Sequence, residues 1–191
     1  MKQTTRTFVA VETSPAVRDR TQKLIDRLRA TPANVKWVER QNLHITLKFL
    51  GDVALNETAR VCQAVAKAAE NVSPFDLEIC GAGAFPNPGR PRTVWLGASQ
   101  GEEAMRALHK HVESALAKLG FRKDNRAFRT HLTIGRVRRG GIGLAELGQL
   151  IRQHADFLAG RTPVAEVIVF ASHLGPSGPT YEALGRAKLC G

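Results

Sequence analysis

Two short stretches of this sequence share a pattern that could do chemistry: His44-Ile45-Thr46-Leu47 and His131-Leu132-Thr133-Ile134. In an extended strand, alternate side chains share a face. His44 and Thr46 then look one way, and Ile45 and Leu47 the other; His131 and Thr133 repeat the polar pair. A single motif of this kind is usually a histidine satisfied in a core or at a surface. Two with the same alternation, one in each half of the chain, can face each other across a cleft. Two imidazoles and two hydroxyls around one small anionic centre suit phosphodiester cleavage without a metal. A neutral imidazole takes a proton from the nucleophile and an imidazolium gives one to the leaving oxygen. Histidine suits both tasks because its ordinary pKa is about 6.5. The threonine hydroxyls would bond the non-bridging phosphate oxygens.

The neighbours of the motifs add charge. Strict alternation puts Lys48 on the His44 face, where its ammonium would help hold phosphate, and leaves Phe49 to the core. It puts Arg136 opposite His131, but Gly135 can mark a bulge that re-aims the next side chain. Between 121 and 140 stand Arg122, Lys123, Arg126, Arg129, Arg136, Arg138 and Arg139 against Asp124 alone. That run brackets the second motif and reads as a track for a nucleic-acid backbone. Trp37 and Trp95 read as core; Phe85 and Tyr181 are candidate stacking residues.

The elements that must position these residues alternate. Thr7–Val11 reads as a strand. A helix follows, with Ser14 as N-cap and Pro15 in its first turn. Val35–Val38 and Leu43–Leu50 are strands, and a second helix opens near Asn56-Glu57. Phe75–Cys80 is a strand, 81–92 a Gly- and Pro-rich loop, and Thr93–Gly97 a strand again. The 3.6-residue spacing of Met105, Leu108, Val112, Leu116 and Leu119 predicts a helix from Glu102, ended by Gly120. Thr130–Val137 is a strand, Leu144, Leu147, Ile151 and Leu158 mark a helix, and Val164–Phe170 and Tyr181–Leu189 are strands. This is an α+β pattern. No linker or low-complexity tract divides it, so residues 1–191 are expected to form a single bilobal unit.

With 191 residues and 43% hydrophobic content, the chain can bury a sizeable core. A net charge of +11 favours phosphate-rich partners. Cys62, Cys80 and Cys190 are too few and too scattered for a disulfide framework or a thiolate zinc site, and read as small core residues. His109 and His111 lie two apart on a helix and diverge. His154 reads as structural and His173 has no evident partner. There is no P-loop, His-Glu-x-x-His or dinucleotide fingerprint, so no metal and no cofactor are expected. No apolar run reaches about 18 residues. The first residues lead straight into a strand without a signal-peptide core. A cytoplasmic monomer without a membrane partner is expected.

The paired motifs resemble those of the 2H phosphoesterase superfamily. The likeness extends through Asn42-Leu43-His44-Ile45-Thr46-Leu47-Lys48-Phe49-Leu50-Gly51, Gly83-Ala84-Phe85-Pro86, Phe128 to Val137, and Leu174-Gly175-Pro176. These segments are similar to the branch of RNA 2′,3′-cyclic phosphodiesterases, also called bacterial 2′-5′ RNA ligases. The resemblance implies two small, mostly antiparallel sheets with flanking helices, related by a pseudo-twofold axis about a central cleft. It implies an RNA substrate with a 2′,3′-cyclic phosphate end, opened to a 2′-phosphate. His44 matches the proton donor and His131 the proton acceptor. Thr46 and Thr133 match the phosphate-binding hydroxyls, and Arg136 an arginine associated with phosphate or RNA. ATP-independent 2′-5′ ligation would be a minor activity. Related sequences often carry Ala where Gly135 stands. The alternatives are a phosphodiesterase for small cyclic phosphates, such as a nucleotide or an ADP-ribose derivative, and a non-catalytic RNA-binding module.

Overall fold

The computed structural model describes residues 3–138, 141–176 and 178–191. Arg139 of the basic run and Ser177 of the late turn lie outside the described residues. The chain runs β1 (Thr4–Glu12), α1 (Pro15–Arg29), β2 (Val35–Trp37), β3 (His44–Ala54), α2 (Thr58–Ala69), β4 (Phe75–Phe85) and β5 (Thr93–Ala98). It continues through α3 (Glu102–Ala117), β6 (Leu132–Val137), α4 (Leu144–Gln153), β7 (Leu158–Val164), β8 (Glu166–Gly175) and β9 (Gly178–Lys188). One sheet has the order β3-β1-β8-β9 and the other β2-β6-β5-β4-β7. Every pairing is antiparallel.

Local chemistry explains the main elements. β1 buries side chains on both faces, Val9 and Val11 in the main core and Phe8 and Ala10 in a smaller cluster, so Phe8-Val9-Ala10-Val11 is apolar without alternation. Ser14 caps α1 by accepting from the Val17 amide at 3.3 Å. α3 stops at Ala117, and the turn beyond it closes on Gly120, whose φ is 91°. There the Gly120 amide donates to the Ala117 carbonyl and the Phe121 amide to the Leu116 carbonyl, which satisfies the last turn. The apolar faces of α2 and α3 cover the first sheet, and α1 and α4 cover the second. A smaller apolar cluster, Phe8, Ala10, Ile168 and Phe170 with Tyr181 against it, lies on the opposite face of the first sheet. Among the described residues no helix is long and apolar enough to cross a membrane.

Two elements differ from the sequence expectation. β4 runs on to Phe85, where a loop was expected from Gly81. Gly81 takes φ 74° at a bulge between Cys80 and Ala82, and pairing with β5 resumes beyond it through Phe85 and Thr93. Leu158 does not mark the α4 helix; it opens β7, which pairs with β4 at the sheet edge. An edge tolerates Pro163, and that proline and Gly160 hide the strand signal.

Candidate active site

The first motif sits on β3, and a bulge decides what its strand presents. Ala10 pairs with Thr46 and Val9 with Lys48, leaving Leu47 without a partner. Alternation restarts there. Leu47 and Lys48 are both buried on the helix side, and Phe49 turns outward, 61% exposed, into the cleft. This corrects two expectations. Lys48 does not share the His44 face: its ammonium is 2% exposed and pairs with Glu113 on α3. Phe49 is not a core residue.

The second motif has the same device at the same place. Thr133 pairs with Trp95 and Gly135 with Val94, leaving Ile134 without a partner on β5. Ile134 and Gly135 are both buried, and Arg136 emerges into the cleft with Thr133. The bulge expected from Gly135 is present. Each motif thus reads His-x-Thr-x-x-X, with Phe49 and Arg136 in equivalent last positions. A Cβ at Gly135 would lie 2.7 Å from the Trp37 ring and 2.9 Å from Val35, so here the glycine makes room for that tryptophan. Trp37 itself lines the cleft.

The two imidazoles are held alike. His44 Nδ1 lies 2.7 Å from the Asn42 carbonyl, and His131 Nδ1 lies 2.7 Å from the Arg129 carbonyl. A carbonyl only accepts, so each Nδ1 carries the hydrogen and each neutral ring keeps its Nε2 lone pair. His44 Nε2 is 3.0 Å from the Thr46 hydroxyl, the one in-site partner of this motif. Aromatic rings surround both. Phe8 and Tyr181 lie 4.9 and 5.2 Å from His44 by ring centroid, and Phe85 meets His131 edge-on at 5.1 Å. Burial therefore holds His44 down to about 4, helped by the Arg136 charge and opposed by the Asn42 bond. Burial lowers His131 as well, with Arg136 and Arg129 adding to it. Burial raises the Tyr181 phenol.

The cleft has two arms that meet at Thr46, Phe49, Thr133 and Arg136. One arm, a cavity of about 950 Å³, holds His131, Phe85 and the guanidinium groups of Arg92, Arg126 and Arg129. The other, about 590 Å³, holds His44, Trp37 and Tyr181. The fold thus gathers His44, Thr46, His131, Thr133 and Arg136 around one space, while the ammonium of Lys48, whose residue borders the larger arm, is held by Glu113.

Sequence reasoning missed Asn42, whose side chain donates to the Pro179 carbonyl at 2.9 Å and ties the β8–β9 hairpin to the His44 strand. It missed the Asn42 and Arg129 carbonyls, although their place two residues before each histidine was a readable signal. His173, read as partnerless, lies 2.9 Å from Glu182 across the hairpin. Cys62 and Cys80 are half-buried and Cys190 exposed, so none is a closed core residue. His109, Glu113 and Asp124 are spaced as a metal could use them. The ammonium of Lys48 already lies against both of those carboxylates.

Comparison with known proteins gives one consistent answer. The family model described as the 2′-5′ RNA ligase superfamily matches residues 9–173. The chain is 38% identical over 176 residues to an RNA 2′,3′-cyclic phosphodiesterase of Methanothermobacter thermautotrophicus, covering 92% of this chain and 94% of that one. It is 38% identical over 179 residues to one of Archaeoglobus fulgidus, covering 94% and 97%. A solved protein of Thermus thermophilus superposes with a TM-score of 0.81 at 25% identity, over 97% of this chain and 98% of the other. E. coli LigT in complex with 3′-AMP superposes with a TM-score of 0.73 at 26% identity, over 99% and 100%.

Proposed function

Because this chain belongs to the 2′-5′ RNA ligase superfamily, we propose that it is a hydrolase that opens RNA 2′,3′-cyclic phosphate ends to 2′-phosphates. The observation that carries this reading is the matched pair of histidines. Each is tethered through Nδ1 to a backbone carbonyl two residues upstream, and each faces the cleft beside a threonine hydroxyl.

The mechanism follows from those positions. Water bonds to phosphorus while its proton passes to His131 Nε2. The P–O3′ bond breaks, and the O3′ oxygen takes a proton from His44 Nε2. The hydroxyls of Thr46 and Thr133 donate to the non-bridging oxygens, and the Arg136 guanidinium balances their charge. Proton exchange with solvent resets the two imidazoles. All these steps use protein groups and water. A 5′-hydroxyl RNA end in place of water would give a 2′-5′ linkage by the same motions. It is the minor outcome, because water is present in great excess. Arg92, Arg126 and Arg129 around the larger arm favour a polyanion over an isolated cyclic nucleotide. One chain supplies both motifs, so a monomer suffices.

The test is hydrolysis of a short RNA ending in a 2′,3′-cyclic phosphate, in EDTA, with the product terminus identified. Wild type is expected to yield the 2′-phosphate. His44→Ala and His131→Ala are each expected to lower kcat by about 10² to 10⁴. No conversion by folded wild type, or wild-type rates in either variant, would overturn the reading.

A further inference from the structure

Lys48 lies just after the first motif yet is turned away from the face that carries His44 and Thr46. Its surroundings supply another task. Lys48 Nζ pairs with Glu113 Oε1 on α3, donates to the Arg122 carbonyl at 2.9 Å, and lies 3.7 Å from Asp124 Oδ2. An ammonium has three donors, and here it meets three oxygens. Two of the three belong to residues of segment 121–130, which is neither helix nor strand. Arg122, Lys123, Arg126 and Arg129 are all exposed on that segment, so its like charges repel, and its apolar anchors are the half-buried Phe121 and Phe128.

A second attachment comes from the same cluster. His109 stacks on Phe128 with ring centroids 4.1 Å apart and planes 9° from parallel. Its Nε2 lies 3.4 Å from the other Glu113 oxygen. The segment then delivers Arg129, whose carbonyl holds His131 and whose guanidinium lies 5.6 Å over the Phe85 ring. Lys48, Glu113 and His109 therefore hold one wall of the cleft at both ends. The three potential metal ligands of this cluster surround a built-in cation, and we assign them no metal.

We propose that the buried Lys48–Glu113 pair is a positioning device. It holds basic segment 121–130 in place to grip the RNA strand beyond its terminal nucleotide. This rests on the reading that the cleft takes RNA ends. Its consequence is selective: loosening the segment weakens the hold on a strand more than the hold on a single cyclic nucleotide.

Four variants test it: Lys48→Met, Glu113→Gln, the two combined, and Lys48→Arg. The combined variant removes both charges at similar volume, so no buried charge is left alone. The first readout is native-state tryptic cleavage after Arg122, Lys123, Arg126 and Arg129, which needs no turnover. The second is KM for a cyclic-phosphate oligonucleotide against KM for a 2′,3′-cyclic mononucleotide, with thermal melts as the folding control. Lys48→Met and the combined variant are expected to be cleaved about tenfold faster in the segment. Oligonucleotide KM is expected to rise about tenfold and mononucleotide KM by less than about threefold. Lys48→Arg restores most of both. If Lys48→Met fails to fold, Glu113→Gln is expected to show the same pattern in weaker form. Folded variants with wild-type cleavage, or the two KM values rising together, overturn the proposal. Faster cleavage without any cyclic-phosphate turnover in wild type would overturn the proposed activity and leave the positioning role standing.

Discussion

At the scale of single residues, the two histidines are expected to set the response of activity to pH. In the free protein His44 is held at about 4 and His131 below its ordinary value, so both are neutral at neutral pH. The form with one proton on the pair is most populated between the two lowered values. Acidification below that range charges both rings, and alkalinisation above it leaves both neutral. kcat/KM is therefore expected to peak below pH 6.5 and to fall about tenfold per unit above its peak. The profile belongs to the pair, whichever ring carries the proton. A bound phosphate is an anion and stabilises an imidazolium, so the kcat profile is expected at higher pH than the kcat/KM profile. Coinciding profiles centred above pH 7 would contradict this account. Arg136→Gln removes a positive charge that lowers both histidines. It is expected to shift the kcat/KM optimum upward while raising KM, which the same pH series measures.

The decisive elements are the two bulged strands. Each bulge sits directly after a His-x-Thr motif and brings the fifth residue after the histidine back into the cleft. In β6 this depends on the packing of Trp37 against Gly135. Gly135→Val is expected to cost about 1–3 kcal/mol of stability by overpacking, and to lower activity by displacing Arg136. Trp37→Ala in the same chain is expected to recover part of that stability, because the clash loses its partner. Urea unfolding of the two single variants and the double variant gives the coupling energy. Strict additivity would show that the two sites are independent. The helices were legible from their apolar spacing and caps, as in α1 with Ser14 and α3 with Gly120. β7 was not, because an edge strand bearing Pro163 and Gly160 carries a weak local signal.

At the scale of the whole molecule, the net charge of +11 has a direction, because exposed arginines gather at the arm that holds His131. Each phosphate neutralised releases counterions, with a slope of about −0.7 in log affinity per contact for single strands. Oligonucleotide KM is expected to climb steeply with salt, and KM for a cyclic mononucleotide to change little. Steady-state kinetics from low to physiological salt check this. Equal slopes for both substrates would remove the polyanion track from the function.

Local periodicity was enough to find the two histidine–threonine faces and the α+β class, while the central cleft between two sheets was implied by the family resemblance. Alternation along a strand depends only on the residues of that strand. The fates of Lys48 and Phe49 were not readable in this way. A bulge forms against a partner strand, so which side chain turns inward depends on the register of β1 on β3. The acceptor for Lys48 lies on α3, 65 residues further along the chain, and no local pattern links the two. Arg136 lay between these cases. Gly135 offered the bulge, and the pairing of β6 with β5 brought Arg136 to the cleft side.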